Sequence, residues 1–252
     1  MALVHPAALV APDADLGEGV SVGPLAIVEA GAVLGPGTRV DAHAVIRSGT
    51  RLGARNVVHP FAVLGGDPQE RTYAGEATRL EIGDGNVFRE HVTVHRGSAK
   101  GGGLTRIGSG SLFMVGVHVA HDCALGDRLE LANGTLLGGH VVLGDRVVAG
   151  GGVAVGPFVR VGAMAFLAAG SMVERDVPPF VIAAGDRARV RALNEVGLTR
   201  GGVPEASRAA LGRAFRAIFR GEATRAAAAA ALAEDPDPYV RALAAFVAGA
   251  RG

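Results

Sequence analysis

Tryptophan is absent from this chain of 252 residues, tyrosine occurs twice and cysteine once. So few large rings exclude a globular core built on aromatic packing. A single cysteine excludes an internal disulfide. No apolar run reaches the ~18 residues that a membrane-spanning helix needs. The N-terminus also lacks the basic, apolar and small-residue order of a secretory signal. A cytoplasmic protein without a transmembrane segment is the expectation. Charge of one sign is missing too: the net charge of +1 gives no reason to expect nucleic acid or an anionic membrane as partner. That balance hides an asymmetry, because from Asp186 onward 11 arginines face 7 acidic residues, leaving the earlier part near −3.

What the chain has in quantity is a period of six. Large apolar residues fall at Val4, Val10, Leu16, Val22, Val28, Leu34 and on to Leu64, then Ile82, Phe88 and Val94, then Ile107, Phe113, Val119 and on to Val173. Neither a helix (3.6) nor an alternating strand (2) repeats this way. A hexapeptide β-helix does, each hexad forming one side of a coil with its apolar residue inward. Two positions earlier sits a mostly small residue, as at Ala26, Ala44, Ala62, Cys123 and Ser171, so that small and large residues fill a narrow prism without voids. Cys123 at such a position reads as buried packing rather than a reactive thiol.

Gly17, Gly35, Gly53, Gly83, Gly108, Gly126, Gly144 and Gly162 recur at one corner, where the backbone is expected to turn tightly. Three hexads therefore make one coil. The period is broken by 12 extra residues after Leu64 and 7 after Val94. Both insertions, near 65–81 and 95–106, leave from the third side of their coils, so two loops should project from one edge on adjacent rungs. After Val173 the period stops, and Asp176-Val177-Pro178-Pro179 is expected to close the prism. Helices should follow: one from Pro204-Glu205 to about Arg220, an alanine-rich one over about 222–233, and one after Pro238 with Tyr239, Leu243, Phe246 and Val247 as its apolar face.

Histidines gather at the edge that carries the loops. His121, Gly139 and Pro157 occupy one position on successive rungs, and Asp122, His140 and Phe158 the next; adjacent rungs lie ~4.8 Å apart. His118 should point outward just before the corner. Outward imidazoles support two chemistries: general base catalysis at neutral pH, or a metal held by His118, His121 and His140 with an open fourth position. Asp122 could orient an imidazole, although alternation along a strand would turn it the opposite way.

Around these residues stand Asp67-Pro68-Gln69, Tyr73-Ala74-Gly75-Glu76, Thr93-Val94-His95-Arg96-Gly97, Gly101-Gly102-Gly103-Leu104-Thr105, His118-Val119-Ala120-His121-Asp122-Cys123, Gly139-His140, Asp176-Val177-Pro178-Pro179 and Leu193-Asn194 with Gly197-Leu198. In this order they resemble the UDP-N-acetylglucosamine O-acyltransferases, enzymes of the first step of lipid A synthesis, from about residue 3 to the C-terminus. The resemblance implies a left-handed parallel β-helix over 1–185, a C-terminal α-helical domain over 186–252, and a homotrimer with its sites in clefts between subunits. It implies transfer of a 3-hydroxyacyl group from acyl carrier protein to the sugar 3-hydroxyl, with no cofactor and no metal. His121 would be the general base, and the Gly139 N–H would steady the oxyanion. His118 and His140 would line the site, Gln69 and Glu70 the sugar loop, and Asn194 and Arg200 the nucleotide. The acyl tail would be measured near Phe166 and Ala169. The C-terminal arginines would face an acidic carrier protein.

The chain departs from the family pattern where Glu70-Arg71-Thr72 replaces Asp-Leu-Lys, where Gly156-Pro157 replaces a third-rung histidine and its glutamine, and at Val196 and Gly201. These changes touch acceptor contacts. They leave acylation of a 3-amino UDP-sugar on nitrogen, or of another UDP-sugar, as alternatives. A non-catalytic paralogue and a zinc enzyme of the γ-carbonic-anhydrase type are the further readings.

Overall fold

A computed structural model of the protein describes residues 1–250. The chain winds as a left-handed parallel β-helix with three flat faces. The first face holds eight strands, from Asp15–Leu16 to Arg160–Val161. Leu16, Leu34, Leu52, Ile82, Ile107, Leu125, Leu143 and Val161 stack in register down it. The third face holds nine strands, from Leu9–Val10 to Met172–Val173. Parallel crossovers usually turn right-handed because long strands twist; most strands here are only two residues long, too short for that twist to choose the hand. Val119, Leu125, Leu131 and Leu137 all point into the prism and are at most 4% exposed.

The small interior positions are filled as the period requires, and several are polar. Asn56 and Asn86 are fully buried there. The Asn56 side-chain oxygen accepts from the Asn86 N–H at 2.9 Å, and the Asn56 amide donates to the carbonyls of Gly53 and Gly83. Every buried polar atom of this ladder therefore finds a partner inside the coil stack.

The corner glycines need a different explanation from the expected one. Gly17, Gly35 and their equivalents are not left-handed; a Cβ on Gly35 would lie 2.5 Å from the Gly53 carbonyl carbon of the next coil. Close stacking of corners, not turn geometry, demands glycine there. The left-handed residue lies two positions further on, and non-glycines often occupy it. His43, Arg55, Phe61, Asp122, Arg128, His140, Arg146 and Phe158 all have φ between 54° and 64°.

Both insertions leave from the third face into the first, between Val63–Gly66 and Arg79–Ile82 and between Thr93–His95 and Leu104–Ile107. Arg96 ties their roots together. Its guanidinium donates to the Ser48 and Gly65 carbonyls, to the Tyr73 hydroxyl at 2.8 Å, and to Asp67.

The prism does not end at Pro179. Asp176 accepts from the N–H and guanidinium of Arg160, ending the first face. The second face then gains Val181–Ala184, parallel to Phe166–Leu167, and Arg189–Leu193, which returns antiparallel and brings that face to eleven strands. Four helices follow: α1 (Glu195–Arg200), α2 (Glu205–Arg220), α3 (Arg225–Ala230) and α4 (Pro238–Ala248). The alanine-rich helix is shorter than expected because Thr224 caps it, its hydroxyl accepting from the Ala227 N–H. The buried face of α4 centres on Val240, Leu243 and Ala244; Phe246 instead lies under the Arg160 guanidinium, 5.2 Å from its ring centroid. No helix among the described residues is long and apolar enough to cross a membrane.

Candidate active site

At the edge between the third and first faces, Asp122 is the organising group. Its side chain is 1% exposed. It occupies the left-handed corner position (φ 61°), so strand alternation does not apply, and the carboxylate swings toward His121 rather than away. One oxygen accepts from the His121 Nδ1–H at 2.7 Å. Ser98, from the second loop, donates to the two oxygens through its N–H at 2.8 Å and its hydroxyl at 2.7 Å. An ionised carboxylate only accepts, so His121 must carry its proton on Nδ1 and present a bare Nε2 lone pair.

The surrounding imidazoles fill the corner. His140 lies edge-on to His121 at 5.4 Å and stacks flat on Phe158 at 4.3 Å. His118 Nδ1 sits 2.8 Å from the Thr93 hydroxyl. His95, a member of this group that the hexad projection missed, meets His118 edge-on at 5.0 Å. It follows an inward residue where the others sit beside corners, and its signal was the segment Thr93-Val94-His95-Arg96-Gly97 rather than the hexad register. Burial, reinforced by the nearby His118 and His121, pushes the His95 imidazole down to about 4. Burial and then His121 also lower His118. Both rings are therefore neutral at pH 7, which lets a proton acceptor work beside them without a fixed positive charge.

Gly139 packs against His121. A Cβ there would lie 2.9 Å from His121 Cε1. Its N–H donates to no group among the described residues, while its carbonyl accepts from the Phe158 N–H. Cys123 is buried, and its thiol, pushed up to about 12 chiefly by burial, donates to the Gly138 carbonyl. It is a packing residue.

Of the residues expected to bind a metal, the structure groups His121 and His140 with Asp122, their ligand atoms within 4.8 Å. His118 lies outside that set. The Asp122 oxygens already accept three hydrogen bonds, which fits an orienting carboxylate better than a third ligand.

The loops bring further groups to this edge. Gln69 is exposed at the first loop. The Glu70 carboxyl is held below the usual carboxylate range by a hydrogen bond from Thr72, with Ser98 and Lys100 adding to it. Gly156 and Pro157 take the corner one rung beyond Gly139.

Asn194 and Arg200 lie elsewhere. They line a cavity of about 550 Å³ over the second face and its edge with the first, together with Arg128, Arg146, Val196 and Gly201. Asn194 builds this cavity as well as lining it: its oxygen caps α1 through the Gly197 N–H, and its amide donates to the Met164 carbonyl at 2.8 Å. Arg128 and Arg146 escaped the sequence reading, although a repeated Gly-Asp-Arg, 18 residues apart at one corner, marked them. Phe166 also faces this cavity, whereas Ala169 is exposed at the next corner and lines neither site.

A family model described as "Udp N-acetylglucosamine O-acyltransferase; Domain 2" matches residues 176–252. The acyl-[acyl-carrier-protein]–UDP-N-acetylglucosamine O-acyltransferase of Alkalilimnicola ehrlichii is 52% identical over 87% of this chain and 85% of its own. The protein of the same name from Herminiimonas arsenicoxydans is 42% identical over 98% and 97%. Among solved structures, the UDP-N-acetylglucosamine acyltransferase of Campylobacter jejuni superposes with a TM-score of 0.94 at 34% identity, covering 98% of this chain and 97% of that one. The Moraxella catarrhalis enzyme gives 0.95 at 35%, covering 99% and 98%.

Proposed function

Because this chain belongs to the UDP-N-acetylglucosamine O-acyltransferase family, we propose that it transfers a 3-hydroxyacyl group from acyl carrier protein to the 3-hydroxyl of UDP-N-acetylglucosamine, with His121 as general base. The observation that carries this reading is the Asp122-oriented imidazole beside the uncommitted N–H of Gly139. His121 Nε2 takes the hydroxyl proton as the sugar oxygen attacks the thioester carbonyl carbon. Negative charge then collects on the carbonyl oxygen, where the Gly139 N–H donates to it. Collapse breaks the carbon–sulfur bond, and the imidazolium returns its proton to the carrier thiolate. Acylated sugar nucleotide and free carrier leave. Asp122 favours the imidazolium while holding its tautomer.

Asn194 and Arg200, with Arg128 and Arg146, suit a nucleotide diphosphate, since guanidinium forks bind phosphate oxygens bidentately. Gln69 and Glu70 suit sugar hydroxyls, and His118 and His140 the walls of the acceptor site. Phe166 gives the second cavity an apolar wall for part of a substrate. The outward row in register with His118, namely Leu136, Ala154 and Met172, offers an apolar bed beside the base, with Leu136 49% and Met172 42% exposed. Base and cavity lie on different edges of one prism, which supports a homotrimer in which neighbouring copies complete each site. The prism, which runs on through Arg189–Leu193 rather than ending at 185, and the helices from Glu195 to Ala248 would act as two domains, in the cytoplasm where carrier thioesters are made.

Purified protein supplied with 3-hydroxyacyl carrier protein and UDP-N-acetylglucosamine should form the acylated sugar nucleotide. His121→Ala should slow turnover by ~10²–10⁴-fold, with an unchanged melting temperature because the ring points out of the core. Full activity of that variant, or transfer only to a 3-amino sugar nucleotide in a parallel assay, would overturn the assignment.

A further inference from the structure

Lys100 is the only lysine among the 25 basic residues of the chain. It lies in the 3₁₀ turn Ala99–Gly101 of the second loop, two residues past the serine that holds Asp122 with both its N–H and its hydroxyl. A Cβ on Gly101 would fall 2.1 Å from the Asp122 carboxyl carbon, so this turn rests directly on the group that orients His121. From there the Lys100 ammonium reaches across to the first loop. It donates to the Thr72 hydroxyl at 2.8 Å and lies 3.4 Å from Glu70, whose carboxylate also accepts from Thr72. The Lys100 side chain is 68% exposed.

An exposed ion pair of this kind contributes little stability, commonly ~0–1 kcal/mol. Every other Lys or Arg position in the sequence is an arginine, which would tie two loops at least as well. Lysine differs in being a compact, strongly hydrated point charge on a flexible stem, able to exchange partners. Its present partners, a hydroxyl and an exposed carboxylate, are ones that a phosphate could displace at small cost.

Resting on the proposed acyl transfer, we infer that Lys100 is a substrate-binding residue: its ammonium leaves Glu70 and Thr72 to hold a phosphate group of a substrate entering beside His121. Both substrates of the proposed reaction carry phosphate, one as a diphosphate and the other as the phosphodiester of the carrier's prosthetic arm. Glu70, once released, is free to accept from a hydroxyl of the sugar.

The single lysine makes the test direct, because an amine-acylating reagent can mark only Lys100 and the α-amino group. Labelling of each is read by peptide mass spectrometry with UDP-N-acetylglucosamine, UDP or N-acetylglucosamine present, and with holo or apo carrier protein. We expect Lys100, but not the α-amino group, to be protected. Protection by UDP and its sugar but not by N-acetylglucosamine assigns the diphosphate; protection by holo but not apo carrier assigns the phosphodiester. In kinetics, Lys100→Gln should raise KM for the assigned substrate by roughly 10–100-fold, as loss of a charged hydrogen bond does, with kcat and melting temperature little changed. Equal labelling in every arm, or a fall in kcat and melting temperature with KM unmoved, would overturn the inference and leave Lys100 a loop tie. Wild-type turnover is measured alongside. If the wild type turns over and Lys100 is unprotected, only this inference falls; if the wild type is inactive, the functional reading falls, while protection by UDP still upholds the phosphate contact.

Discussion

His121 and Gly139 form a unit in which steric and chemical demands coincide. The imidazole lies against a glycine because any side chain there would occupy the ring's place, and the same glycine contributes an N–H that donates to no group among the described residues. Gly139 is not in the left-handed region, so alanine suits its backbone and acts through its methyl group alone. Gly139→Ala should therefore displace His121 and reduce kcat by ~10²-fold or more, within the range for loss of a general base, while unfolding at nearly the wild-type temperature. Retained kcat would show that the ring does not work from the position seen here. His95 offers a second test at this scale. Its ordinary value of 6.5 in the unfolded chain falls to about 4 in the folded one. Between those values the unfolded chain binds more protons, so stability is intact above about 6.5 and is lost as pH falls toward 4. His118 acts in the same direction. Melting temperatures of the wild type should drop across that window, and His95→Gln should flatten part of the slope. An unchanged slope would exclude His95 as a buried neutral group.

Among the elements, the corner decides more than the strand. Each two-residue strand contributes one inward side chain, and the turn between strands sets how closely successive coils stack. Gly35 and Gly156 both follow an inward residue directly. A Cβ on Gly35 would meet the next coil's backbone at 2.5 Å, whereas one on Gly156 would meet nothing nearer than 3.4 Å. Gly35→Ala should cost ~1–3 kcal/mol through overpacking, and Gly156→Ala no more than ~0.5 kcal/mol. Urea midpoints of the two variants check this, and equal costs would refute the stacking account. The same distinction explains how far the sequence could be read. Inward positions, both loop sites and the His121–His140 juxtaposition followed from counting by six, since each depends on register alone. The Asp122 direction did not, because a left-handed corner breaks the alternation assumed for strands. The strands at Val181–Ala184 and Arg189–Leu193 were invisible for a related reason: they join the second face after the hexads stop, paired by backbone hydrogen bonds and without the repeat. Arg128 and Arg146 were legible in principle through their repeated tripeptide, but only with knowledge of what covers that edge.

At the scale of the whole molecule, the proposed function makes one prism the carrier of two half-sites. His121 lies where the third face meets the first, and the arginine-lined cavity spans the second face and its edge with the first, under α1. A substrate held by both would have to bridge two copies, and a three-sided coil closes readily about a three-fold axis. Mixed assemblies test this directly. One variant carries His121→Ala; the other carries Arg128→Glu and Arg200→Glu in one chain. Each alone should be nearly inactive. Refolded together in equal amounts, a site works only when its histidine comes from the second variant and its cavity from the first. Random assembly joins them at about one quarter of the sites, so about a quarter of wild-type activity should return. Sedimentation should show trimers in all three preparations. Absence of recovery in mixed trimers would mean that base and cavity serve the same substrate within a single chain, or different substrates altogether, and the shared-site arrangement would have to be abandoned.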